Sequence, residues 1–126
     1  MSTAEVSTMT TQEVANRYHE LAQTSQWGQI HNELFADNAV SIEPPHAQGL
    51  KTVEGIDAIK EKGKQFEAMV EEVHGGYTTA PVVGGRYFSV GMGIDCTMKG
   101  MGRQKMDEIA LYEVKDGKIV MEQFFY

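Results

Sequence analysis

One cysteine, Cys96, is all the thiol chemistry this 126-residue chain has. That excludes an internal disulfide framework and suits a reducing compartment. Positive charge is scarce as well. Eleven Lys and Arg against eighteen Asp and Glu leave a formal net charge of −7, and the densest basic run, Lys60–Lys64, contains Glu61. A binder of phosphate backbones needs a positive footprint, so neither nucleic acid nor an anionic membrane is an expected partner. No apolar run approaches the roughly 20 residues of a membrane-spanning helix. The opening M-S-T-A-E-V-S-T lacks the charged-then-apolar pattern of a signal peptide, so a cytoplasmic location is expected. His19, His31, His46 and His74 show neither H-x-H nor H-E-x-x-H spacing, and no metal is expected. Gly91-Met92-Gly93 and Gly100-Met101-Gly102 precede no helix, so they are not phosphate loops. They read as strand kinks or as room for a bulky ligand. No cofactor is implied.

What is present suits one globular domain. The composition, 41% hydrophobic and 23% charged, is enough to bury a core without metal or disulfide support. Residues 1–9 are small and polar and are expected to be frayed. Thr10-Thr11-Gln12-Glu13 fits a capping box. A helix follows to about Gln23, with Val14, Tyr18, Leu21 and Ala22 on one stripe. Ser25 is the expected cap of a second helix through Phe35, which buries Trp27, Ile30, His31 and Leu34. Asp37-Asn38 signals a turn before a strand over Ala39–Glu43, and Lys51–Glu54 suggests a second short strand. Gly55 opens a third helix, whose apolar stripe is Ile56, Ile59, Gly63, Phe66, Met69, Val70 and Val73. After His74 the chain reads as four strands, with turns at Gly84-Gly85, Lys99-Gly100 and Asp116-Gly117. Val90, Met92, Ile94, Cys96 and Met98 alternate with polar or glycine positions, the cleanest period-two signal in the chain. The order predicts an α+β fold: two N-terminal helices, then a long helix wrapped by a curved, mainly antiparallel sheet. A concave, apolar-lined pocket should open at one end.

The strand A-V-S-I-E-P-P, Ala39–Pro45, carries one carboxylate, Glu43, to its end. Residues i and i+2 share a face, so Ala39, Ser41 and Glu43 oppose Val40 and Ile42. Glu43 at the rim of a cavity is a candidate proton shuttle. With Val40 and Ile42 turned inward it is a solvated side chain. Both readings stand on the strand pattern alone.

Three patterns carry a resemblance to a known superfamily: F-A-D-N-A-V-S-I-E-P (Phe35–Pro44), E-G-I-D-A-I (Glu54–Ile59) and Y-E-V-K-D-G-K-I (Tyr112–Ile119). With the element order, residues 10–126 resemble a single SnoaL-like domain. This is the cone-shaped fold of nuclear transport factor 2, ketosteroid isomerase, the polyketide cyclase SnoaL and limonene epoxide hydrolase. The resemblance implies a small-molecule pocket. Glu43, followed by Pro44, sits where ketosteroid isomerases place their base. Tyr18, in R-Y-H-E-L, sits where they place the oxyanion-hole tyrosine. Counting back from Asp116-Gly117, their second oxyanion group falls on Ile109, which cannot donate a hydrogen bond. Asp107 lies two residues earlier on the same strand face. The expected catalytic set is therefore Glu43, Tyr18 and Asp107. The expected substrate contacts are Met92, Ile94, Cys96, Met98, Ile109, Phe66 and His74, a wall rich in adaptable methionine.

The implied function is cofactor-independent acid–base chemistry, of isomerase, cyclase or hydrolase type, on a small apolar, carbonyl-bearing molecule. The rival is a non-catalytic binding or dimerisation module. A homodimer is the expected assembly, pairing through the outer sheet face with Val40, Ile42 and Phe124-Phe125-Tyr126.

Overall fold

The computed structural model describes residues 8–126. The element order is α1 (Thr11–Ala22), α2 (Trp27–Leu34), β1 (Phe35–Ile42), β2 (Val53–Glu54), α3 (Ile56–Met69), β3 (Val70–Thr78), β4 (Val82–Gly84), β5 (Tyr87–Met98), β6 (Gly102–Lys115) and β7 (Lys118–Phe125). The expected α+β class holds: three helices lie against one seven-stranded sheet of order β2-β1-β7-β6-β5-β3, with β4 also on β5. Every pairing is antiparallel except β1 with β7.

Local sequence explains most boundaries. The capping box at α1 is complete. The Thr10 hydroxyl accepts from the Glu13 amide at 3.1 Å, and the Glu13 carboxylate accepts from the Thr10 amide at 2.8 Å, which satisfies two otherwise orphaned donors. Of the segment expected to fray, residues 1–7 lie outside the described residues. Met9 instead packs against the core. At the far end, Asp116 and Gly117 both adopt positive φ, 51° and 75°, as a two-residue hairpin turn requires.

Several boundaries differ from expectation. Ser25 is not a cap: it takes φ 55° in the connection, and Gln26 is the N-cap of α2. Asp37-Asn38 is no turn. It lies inside β1, where the register against β7 shifts between Phe35 and Val40. The third helix stops at Met69, because Val70 leaves it to pair with Met98 of β5. Sheet pairing outweighs a helical stripe there, and β-branched Val70 and Val73 suit a pleated surface. Gly84 pairs with Tyr87, so the turn is Gly85-Arg86.

The main core lies between the helices and the concave sheet face. Tyr18, Phe88 and Tyr112 pack ring on ring, with centroids 4.8 to 5.4 Å apart. Val14, Leu21, Ile30, Leu34, Ile59, Val90, Ala110, Val114 and Ile119 surround them. Among the described residues, no helix is long and apolar enough to cross a membrane.

One turn decides which β6 side chains face this core. Met98 pairs with Gly102, so three residues, Lys99-Gly100-Met101, connect β5 to β6, not the two of Lys99-Gly100. Side-chain direction has period two, so a slip of one residue exchanges the faces of a whole strand. Val90 and Met92 therefore oppose Ala110 and Glu108, and Asp107 and Ile109 point outward. On the outer face the Tyr77 hydroxyl donates to Asp107 at 2.7 Å. A Cβ on Gly93 would collide with the Tyr77 ring and the Asp107 carboxylate. The space left by that glycine is thus filled by Tyr77 and Asp107, not by a ligand.

Deleting Met101 would force a two-residue turn and drive Glu108 and Tyr112 to the outside. Cooperative thermal unfolding, followed by circular dichroism, should be lost. Met101→Ala, at a mostly exposed side chain, should stay within about 0.5 kcal/mol of the parent.

Candidate functional site

Four ionisable side chains meet inside the cone. Glu43 follows β1 on the inward face that also holds Ala39 and Ser41, and all three are buried. Lys62 comes from α3 and is also buried. It lies three residues after Ile59 and four before Phe66, so it shares their helical face. Its ammonium donates to Glu43 Oε2 at 2.8 Å and lies 5.6 Å from the centre of the Phe124 ring. The other oxygen of Glu43 accepts from the Tyr126 hydroxyl at 2.7 Å. Glu122 of β7 is buried beside Ser41, whose hydroxyl donates to it at 2.7 Å. Glu108 of β6 is half-buried and completes the group.

Glu122 reaches this face through a bulge. Glu113 pairs with Met121 but Val114 pairs with Ile119, which leaves Val120 as an extra residue. The bulge resets alternation, so Ile119, Glu122 and Phe124 share the inner face.

One cation cannot offset three carboxylates. Burial, opposed in part by the Ser41 bond and by Lys62, pushes Glu122 up to about 7. Burial and the neighbouring charges of Glu43 and Glu122 push Glu108 up to about 7, against the pull of Lys62. At neutral pH both carboxyls exist in acid and base forms, the condition for efficient proton transfer.

Beside them, the hydroxyls of Tyr18 and Tyr112 lie 2.6 Å apart and are buried. Burial pushes both far above their ordinary range, and the charges of Glu122 and Glu108 push the same way. Both stay neutral. Their mutual bond uses one hydroxyl proton, and the second has no acceptor among the described residues.

Glu43 and Tyr18 therefore belong to one buried interior, whereas Asp107 lies exposed on the opposite face. Glu108 takes the inward position next to it. Of the expected wall, Met92, Ile94, Cys96 and Met98 line the inner face of β5, with Cys96 and Met98 buried apart from the main core. The Cys96 thiol is pushed up by burial, which leaves it inert. Phe66 is half-buried on α3. Ile109 is corrected to the outer face, 49% exposed. His74 is also outside, bonded to the Thr97 hydroxyl at 2.7 Å and 3.8 Å from Glu72.

Lys62, Glu108, Glu122, Tyr112 and Tyr126 were missed by sequence reasoning. Lys62 alone carried a usable signal, its place on the apolar stripe of α3. Two open grooves lie outside this interior. One of about 670 Å³ runs along Asp37 and Glu54–Ala58, and one of about 280 Å³ is bounded by Trp27, His31, Lys60 and Lys64. Neither is lined by the buried carboxylates. Among the described residues, no group of three or more His, Cys, Asp or Glu could hold a metal ion.

A conical α+β scaffold with a polar group buried in its apolar interior defines the architecture. The chain belongs to the SnoaL-like domain family, whose model matches residues 9–126. A solved structure from Mesorhizobium loti, described as a candidate SnoaL-like polyketide cyclase and also as a carbohydrate phosphatase, is 34% identical with a TM-score of 0.87. The match covers 94% of this chain and 100% of that one. A nuclear transport factor 2-like protein of Burkholderia pseudomallei, of unknown function, shares the fold at 13% identity, with a TM-score of 0.73 and coverage of 94% and 92%. A protein of Catenulispora acidiphila with a ketosteroid isomerase-like fold, crystallised with trimethylamine, matches at 19% identity, with a TM-score of 0.69 and coverage of 93% and 87%. A search of curated proteins found no matching sequence.

The raised carboxyls give stability a pH signature. The folded state holds a proton on Glu122 up to about pH 7, whereas the unfolded chain releases it near 4.5. Between those values the native state binds more protons, so stability falls as pH rises. The contribution is full below about pH 4.5 and lost above about 7, on the order of 3 kcal/mol. Glu122→Gln keeps the bond to Ser41 and removes the titration. Urea denaturation should show a flatter pH dependence between 4.5 and 8 and a gain in stability at pH 8. An unchanged slope would assign the dependence to other groups.

Proposed function

We propose that the protein binds a small, largely apolar, carbonyl-bearing molecule inside the cone and performs cofactor-independent acid–base chemistry on it. The observation that carries this reading is the gathering of Glu43, Lys62, Glu108 and Glu122 around an otherwise apolar interior. A fold does not keep uncompensated carboxyls in its core for stability, because each costs free energy unless paired. The similarity to a protein described as a candidate polyketide cyclase points the same way. Glu43 is the base. It takes a proton from the carbon beside the carbonyl while the electron pair moves onto the carbonyl oxygen. The spare hydroxyl proton of the Tyr18–Tyr112 pair stabilises that oxygen. Glu43 then returns that proton, to a second carbon of the enolate in an isomerisation or to the newly formed alkoxide oxygen in a ring closure.

The alternative is a non-catalytic binding module. It is favoured by one observation: both oxygens of Glu43 are already occupied, by Lys62 and Tyr126. Proton exchange in deuterated water with steroid-like and polyketide-like ketones separates the two. Glu43→Gln should lower exchange by roughly 10²–10⁴ while apolar binding survives. Tyr18→Phe should slow exchange with little loss of binding. If no ketone of the panel exchanges above background, the binding module is the better reading.

We further propose a homodimer through the outer sheet face. Phe125 and Ile109, paired across β7 and β6, are each about half exposed, and Val40 and Ile42 continue the apolar strip on β1. A monomer would leave this strip in water. Sedimentation equilibrium at micromolar concentration should show twice the 14.0 kDa chain mass. A single 14 kDa species would refute the dimer.

A further inference from the structure

We propose that Tyr126 is a displaceable internal ligand of Glu43, and that the site accepts a flat molecule bearing a phenolic or enolic O–H, which takes the place of the Tyr126 hydroxyl. This rests on the reading of the Glu43 interior as a ligand site, and it narrows the ligand class.

The argument begins with the two oxygens of one buried carboxylate. Oε2 is held by Lys62, an ammonium itself buried and anchored within 3.5 Å of the Ser41 carbonyl. That contact is fixed, because neither charge can be left alone in the interior. Oε1 is held by Tyr126 and by no other group among the described residues. Tyr126 differs from Lys62 in every respect that governs release. It lies one residue beyond the end of β7, past the last paired residue, Phe125. Its side chain is half exposed, although its hydroxyl reaches a buried acceptor. Among the described residues its one aromatic neighbour is His46, edge-on at 5.7 Å. Burial and the bond to Glu43 push the phenol well above its ordinary range, so it stays a neutral donor. Turning it outward moves a ring that already touches water and frees one acceptor on Glu43.

What replaces it must repair the same bond. A carboxylate oxygen left bare in the interior costs more than a neutral hydrogen bond returns, so of two ligands with equal apolar surface the one bearing an O–H donor displaces Tyr126 more readily than the one with only acceptor oxygens. A ligand with an O–H on a flat, conjugated frame exchanges one donor for another at nearly equal free energy. It then gains from apolar contact with the partly buried Phe124 and Met92.

The test uses 2-naphthol and its methyl ether, 2-methoxynaphthalene, equal in apolar surface but with and without the donor. Affinities are measured by calorimetry for the parent, Tyr126→Phe, Tyr126→Ala and Glu43→Gln, each checked for a native melting transition. Removing the internal competitor should tighten 2-naphthol about tenfold in Tyr126→Phe, the worth of one hydrogen bond to a charged acceptor. Tyr126→Ala guards against a ring left in the way and should tighten it at least as much. The methyl ether should respond less than twofold to Tyr126→Phe, and Glu43→Gln should erase the preference for 2-naphthol. Unchanged or weaker 2-naphthol binding in both Tyr126 variants, or equal gains for the ether in Tyr126→Phe, would overturn the proposal. Either result could stand beside a loss of ketone exchange in Glu43→Gln, so the catalytic reading can survive when this one fails. Tightened naphthol binding without any ketone exchange would sink the catalytic reading alone.

Discussion

The buried ion pair between Glu43 and Lys62 is the contact on which the interior depends. Each group alone would be a charge in a poorly polarisable medium, and removing one partner from such a pair costs about 3–5 kcal/mol. The pair ties the end of β1 to α3, and so joins the sheet to the helix that it wraps. It also sets the electrical balance of the cone. Among the described residues Lys62 is the one cation there, and it pairs with Glu43 at 2.8 Å. Glu122 and Glu108 are left to reach neutrality by holding protons, which places both at about 7. The poised carboxyls are therefore a product first of burial, to which the charge of Glu43 adds and which Lys62 only partly opposes.

A second group of contacts holds the outside of the molecule. Arg17 of α1 bridges Glu20 on its own helix and Glu33 of α2, with a second bond from its guanidinium to Glu33 at 2.9 Å. That guanidinium, helped by Gln29, holds the Glu33 carboxyl down at about 2. Lys118 donates to the Glu33 carbonyl at 2.8 Å and so ties α2 to the start of β7. These exposed pairs set orientation more than stability. Paired charge outside lowers carboxyl affinity for protons, and crowded charge inside raises it. The same residue type, Glu, thus serves opposite ends on the solvent side of a helix and in the interior.

Much of the fold was legible because its signals are local. The Thr10–Glu13 capping box, the alternation from Val90 to Met98 and the Asp116-Gly117 turn each depend on a few adjacent residues. What escaped was counting across irregularities. Counting back from Asp116-Gly117 set Ile109 and Asp107 on the inner face, whereas the observed register puts Ala110 and Glu108 opposite the inward Val90 and Met92. The bulge at Val120 hid Glu122 in the same way, since strict alternation joins Ile119 to Met121. Lys62 escaped for another reason. A lysine on an apolar stripe reads as a solvated edge until its partner, nineteen residues away, is known to be buried. The end of α3 at Met69 was set by the availability of β5 as a pairing partner, which no local window contains.

The hydroxyl pair of Tyr18 and Tyr112 has a consequence for how the protein behaves in alkali. Two phenols that share one hydrogen bond in a dry interior cannot ionise without exposing charge to it, and both are driven far above the usual range. Their phenolate absorbance can appear only once the cone opens. The ultraviolet change on raising pH therefore divides in two. One part follows accessible side chains at once. The other arrives at the rate of unfolding, which makes this tyrosine pair a built-in optical clock for loss of the core.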